Sequence, residues 1–135
     1  MYKFLTRLPA WTFTILITAI ICYLTLVPRP LPDMDMPMIP GLDKVVHAIM
    51  FGALAGAICL DVARKRGIGR LTVILLAVAF VAAALAGGAI ELLQSAMNQG
   101  RSCEIMDFVA DSVGSLIAVM VARPVCGMLL RNRPQ

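Results

Sequence analysis

His47, Glu91, Arg101, Asp107 and Asp111 are charged or titratable side chains placed where four long apolar runs begin or end. Between them they carry several kinds of chemistry. Arg101 can fork onto a phosphate or carboxylate, and His47 can exchange a proton near neutral pH. The acids can accept a proton from a hydroxyl or amine, and Asp43 and Lys44 extend the group by one acid and one cation. His47, Glu91 and Asp107 are therefore the catalytic candidates. Asp43, Lys44, His47, Glu91, Gln94, Arg101, Asp107 and Asp111 are the candidate ligand-binding set. One His and several acids are compatible with a divalent cation, but no compact motif such as two His at i, i+4 is present, so neither a metal nor another cofactor is expected.

The elements that must position these residues are membrane helices. With 60% hydrophobic and 15% charged residues and a mean hydropathy of +0.87, a chain of 135 residues has more apolar surface than a soluble domain of that size can bury. About 20 apolar residues cross a hydrocarbon core of about 30 Å. Four runs qualify: Ala10–Val27, Val45–Ala63, Leu71–Leu93 and Phe108–Val125. The first follows Lys3 and Arg7 as a secretory signal would, but its apolar stretch is long and no small-x-small cleavage site follows Tyr23, so it reads as a retained helix. The expected fold is all-α, a single domain over residues 1–135, built as an integral membrane bundle of four transmembrane helices.

Orientation follows from the basic residues. Lys3, Arg7, Arg64, Lys65, Arg66, Arg70, Arg123, Arg131 and Arg133 flank one side, against Arg29, Lys44 and Arg101 on the other, nine against three. That split predicts both termini in the cytoplasm of a bacterial inner membrane, with the candidate site at the outer face. Arg64, Lys65, Arg66 and Arg70 read as this topology signal rather than as a lipid-phosphate site. The net charge of +4 does not indicate nucleic acid, because the basic residues lie beside apolar runs without interleaved aromatics.

The first outer connection contains Pro28, Pro30, Pro32, Pro37 and Pro40 and should be extended and stiff, a lip across the mouth. Met34, Met36 and Met38 alternate within it. Thioethers suit Cu(I), but with nine Met in the chain they read better as adaptable apolar contacts. Of Cys22, Cys59, Cys103 and Cys126, only Cys103 falls in an outer connection. It would need a base such as His47 to act as a nucleophile, and an incidental thiol is the simpler reading.

Helical geometry gathers the polar residues. At about 100° per residue, Asp43, His47 and Phe51 share a face, with Gly52 and Gly56 nearly opposite. Ala84, Gly87, Gly88, Glu91, Gln94 and Ser95 fall in one sector about 120° wide. Asp107, Asp111, Gly114 and Ala118 align in the same way. Small residues let helices approach closely, and a carboxylate facing lipid costs several kcal/mol, so Glu91 and Asp111 should face the interior. A purely structural interhelical clamp, Glu91 with Arg101 or His47, accounts for the same pattern.

Asp43-Lys44-x-x-His47-x-x-x-Phe51, then Glu91-x-x-Gln94, then Gly100-Arg101 followed by Asp107-x-x-x-Asp111-x-x-Gly114, resembles the VanZ-like family of small membrane proteins. The match runs from residue 41 to 118. The family pattern often has an aromatic after the His and Asn at the position of Asp111, where this chain has Ala48 and Asp111. The resemblance implies a cell-envelope protein and, from the family's namesake, an association with resistance to glycopeptide antibiotics, particularly teicoplanin. From the residues themselves, the leading reading is a site for the head group of an anionic or envelope-precursor lipid. The alternatives are an enzyme acting on such a head group through His47 with Glu91 or Asp107, a proton-coupled transporter using Glu91, and a structural or partner-binding subunit. The expected partners are membrane lipids and a second copy of the chain, the transporter reading requiring an oligomer because 135 residues hold no complete inverted repeat.

Overall fold

A computed structural model describes residues 5, 7–27, 40–97 and 105–130. Its helices are α1 (Thr12–Leu26), α2 (Leu42–Arg66), α3 (Val73–Ala96) and α4 (Ile105–Leu129), with a single 3-10 turn at Ile68–Arg70 between α2 and α3. There is no strand among the described residues. α2, α3 and α4 are each long and apolar enough to cross a membrane. α1 is apolar but has only 15 residues, a rise of about 22 Å, and is shorter than the run it was expected to fill.

The helix ends are set by backbone chemistry more than by hydropathy. α2 begins after Gly41 at φ +82° and ends at Gly67 at φ +92°, two left-handed positions that suit glycine. Asp43 lies in its first turn and Arg64, Lys65 and Arg66 in its last, the arrangement that complements the helix dipole. α3 starts behind Thr72, whose side-chain oxygen accepts from the Leu75 amide at 3.3 Å. α2 and α4 consequently run several residues beyond the apolar runs expected at 45–63 and 108–125, and Pro124 lies inside α4.

α2 is the central element. It packs most extensively on α4, and α1 and α3 also lie against it. The core is built from Phe51, Leu54, Ala55, Cys59 and Val62 of α2 with Ala79 and Ala83 of α3 and Val119, Ala122 and Cys126 of α4. Most of these are small, which lets the backbones come close where no water drives association. The closest approach is at Gly114, where a Cβ would run into the backbone of Ala48, with its carbonyl carbon at 2.6 Å. A Cβ on Gly52 would lie 3.0 Å from the Gly114 carbonyl oxygen, whereas Gly56 has open space. Of Gly52 and Gly56, it is Gly52 that makes a close approach, against Gly114. Large apolar side chains such as Ile74, Leu85 and Met120 point outward, as lipid-facing residues do. Cys22, Cys59 and Cys126 are free thiols. Cys103, the Met34, Met36 and Met38 alternation, Arg29, and Pro28, Pro30, Pro32 and Pro37 lie outside the described residues.

Candidate functional site

The contact between Gly114 and Ala48 fixes the site, because Ala48 follows His47 directly and Gly114 lies one turn from Asp111. With the two backbones in touch, His47 Nδ1 sits 3.0 Å from Asp111 Oδ1. α3 completes the group: Glu91 Oε1 is 3.8 Å from the same nitrogen. One ligand atom from each of His47, Glu91 and Asp111 lies within 4.8 Å of the others. Gly87 makes room for this arrangement, since a Cβ there would come to 3.0 Å from the Asp111 carboxyl carbon. The His47 ring stacks on Phe51 of its own helix, with centroids 6.3 Å apart and planes at 25°, which further restricts its orientation.

Above this group, toward the end of the bundle, Lys44 bridges two acids. Its Nζ is 3.3 Å from Asp107 Oδ1 and 2.9 Å from Asp43 Oδ2. Side-chain exposure rises stepwise from 0% for Asp111 and 5% for Glu91, through 12% for His47 and 13% for Asp107, to 31% for Lys44 and 54% for Asp43. The cluster is a shaft-like column of polar side chains, most exposed at Asp43 and fully buried at Asp111. With Asp111 ionised, its hydrogen bond to Nδ1 requires the proton on that nitrogen, which leaves Nε2 of the neutral ring as an acceptor. Asp111 Oδ2 is buried and has no hydrogen-bond partner among the described residues.

Six of the eight expected site residues, Asp43, Lys44, His47, Glu91, Asp107 and Asp111, are thereby brought to one end of the bundle. Gln94 lies at the same end, one turn beyond Glu91, but is engaged outside the cluster. Its amide nitrogen donates to the Thr25 carbonyl at 2.9 Å, tying α3 to the last turn of α1. Arg101 lies outside the described residues.

At the opposite end, a second buried ionic group went unforeseen. Asp61 accepts from the Thr14 amide at 2.9 Å and the Thr14 hydroxyl at 2.8 Å. Arg64 Nε donates to Asp61 Oδ1 at 2.7 Å. The remaining guanidinium nitrogens reach the carbonyls of Leu5, Leu8 and Pro9. Arg64 is 2% exposed. It differs from the exposed Lys65 and Arg66 beside it, and expecting it only as a topology charge missed its role in fixing the chain before α1. The available signal was Asp61 and Arg64 three residues apart on a helix, straddling the end of an apolar run.

The VanZ/LLP1 family model matches residues 5–130, nearly the whole chain. The chain belongs to the VanZ/LLP1 family. No curated protein and no solved structure matches it. As a VanZ-like membrane protein it carries the motif residues His47, Glu91, Asp107 and Asp111 on three different helices that converge at one end.

Proposed function

We propose that this VanZ-like protein binds the head group of an anionic or envelope-precursor lipid at the outer face of a bacterial cytoplasmic membrane, and so alters how that lipid is presented or moved. The observation that carries the reading is the graded polar shaft from Asp43 down to Asp111, set at one end of spans whose outer surfaces are otherwise apolar. Charged side chains at such depth cost several kcal/mol, and a fold that needed only packing would place alanine there. A lipid can deliver its head group to the shaft while its chains remain among the outward-facing Leu and Ile side chains. The basic-residue asymmetry supports the outer placement.

The His47–Asp111 bond favours a second reading at the same site, in which His47 Nε2 takes a proton from a hydroxyl or water beside the head group. Native mass spectrometry of gently extracted protein tests both. A lipid of defined mass should be retained by wild type, and its retention should fall roughly tenfold, about 1.4 kcal/mol, in His47→Gln. Equal retention in both proteins would defeat the binding reading. In Asp111→Asn, retained lipid with loss of a head-group product formed by wild type would establish the proton-transfer reading. If the lipid is a peptidoglycan precursor, expression should raise teicoplanin tolerance, the phenotype implied by the resemblance to the family's namesake.

A further inference from the structure

An anionic head group brought down to His47 meets buried carboxylates. Glu91 and Asp111 are buried beside His47, and Asp107 stands at the rim, where its pairing with Lys44 uses the nearby cation. A phosphate oxygen brought against two buried carboxylates meets like charge in a medium of low dielectric, where repulsion is strongest. The bridging species must be positive, small enough to reach Asp111, and matched to mixed nitrogen and oxygen donors.

We propose that His47, Glu91 and Asp111 hold a divalent cation of the Mn2+ or Zn2+ class. One imidazole nitrogen and two carboxylate oxygens suit those ions and not soft Cu(I). Binding through Nδ1 replaces its hydrogen bond to Asp111 and moves the ring proton to Nε2, and two carboxylates with that neutral imidazole then balance a double positive charge. Donor atoms about 2.0–2.2 Å from one ion lie roughly 3.0–3.6 Å apart. The His47 Nδ1 to Asp111 Oδ1 separation is 3.0 Å, Nδ1 to Glu91 Oε1 is 3.8 Å, and one donor from each of the three lies within 4.8 Å of the others, so a rotation of the Glu91 side chain toward the other two closes the set. Asp111 Oδ2 is a second, independent indication: a carboxylate oxygen on a side chain with 0% exposure, lacking a hydrogen-bond partner among the described residues, beside a glycine that leaves it space. Three protein donors would leave further coordination positions for a ligand oxygen. The cation site stands on these side chains; its service as a bridge to a lipid phosphate rests on the head-group reading above.

The test uses the full chain purified in mild detergent, stripped with EDTA and titrated with Mn2+, the loss of the free-ion electron paramagnetic resonance signal giving bound ion, followed by competition with Zn2+. Wild type should bind one equivalent. Glu91→Gln and Asp111→Asn should each weaken binding at least tenfold, and Arg66→Gln, at the opposite end of α2, should bind as wild type. Should Asp111→Asn elute as aggregate, His47→Gln, nearer the open end, replaces it in the comparison. No binding by wild type, or equal binding by all variants, overturns the site. Native mass spectrometry with and without EDTA separates the two ideas. Mn2+ bound with no lipid retained under any condition sinks the head-group reading and leaves the cation site standing. Lipid retained equally with and without EDTA overturns the bridge.

Discussion

The two ends of this bundle each bury an aspartate against a basic side chain, and they do so with opposite accounting of hydrogen bonds. At the Arg64 end, Asp61 receives the Thr14 amide and hydroxyl and the guanidinium, while the guanidinium's other protons go to three backbone carbonyls and its face lies 5.2 Å from the Phe13 ring. Donors and acceptors are matched. At the His47 end, two buried carboxylates lie beside one imidazole, and Asp111 Oδ2 has no hydrogen-bond partner among the described residues. A matched buried pair is how a fold holds itself together, whereas a buried acceptor left without a donor is how a site awaits something from outside. Exposure alone does not separate the two groups, since Asp61 and Asp111 are both buried; saturation does.

The largest effect expected from this contrast is at the matched end. Arg64→Ala leaves Asp61 buried without its cation and should cost about 3–5 kcal/mol, read as a lower melting temperature in detergent and a shift toward aggregate. Adding Asp61→Asn should recover part of that loss, because the stranded charge goes with it. If Arg64→Ala melts like wild type, the contrast between the ends fails. Next in size is Gly114→Ala, which forces apart the backbones of α2 and α4 and should cost about 1–3 kcal/mol while lowering ligand retention, because His47 and Asp111 separate with them. Gly52→Ala should be milder, and Gly56→Ala, with open space, should be neutral or stabilise by up to about 1 kcal/mol through helix propensity. The smallest effect on stability is expected at the His47 end. Asp111→Asn keeps an acceptor for His47 and removes one buried charge, so melting should change by no more than about 1 kcal/mol in either direction. A large loss there would mark Asp111 as a clamp and erase the distinction.

The spans were legible because apolar runs of about 20 residues have one solution in a bilayer. Their ends were less so. Hydropathy stops at the first charges, but the helical ladder continues through Asp43, Lys44 and Asp107 until a Gly67 or an equivalent break interrupts it. α1 erred the other way. Pro9 and the left-handed Trp11 at φ 64° delay its start although the side chains there are apolar. For the site, helical spacing placed His47, Glu91, Asp107 and Asp111 on inward faces because i, i+4 arithmetic is reliable within one helix. It could not show which oxygen of which acid meets Nδ1, since that depends on the Gly114 contact between helices distant in sequence. Gln94 shared Glu91's sector, yet its amide is engaged by an α1 carbonyl, and Arg64 hid among neighbouring cations whose solvated positions it does not share.

The length of α1 has a consequence for the surrounding lipid. Its ends are held by other helices: Asp61 of α2 receives the Thr14 amide in its first turn, and Gln94 of α3 donates to the Thr25 carbonyl in its last. A helix of about 22 Å pinned in this way beside neighbours of about 36–38 Å creates hydrophobic mismatch on one flank of the protein. Where a hydrocarbon layer about 30 Å thick meets α1, thinning by several ångströms is one way to match it, and that would bring head groups inward on that side.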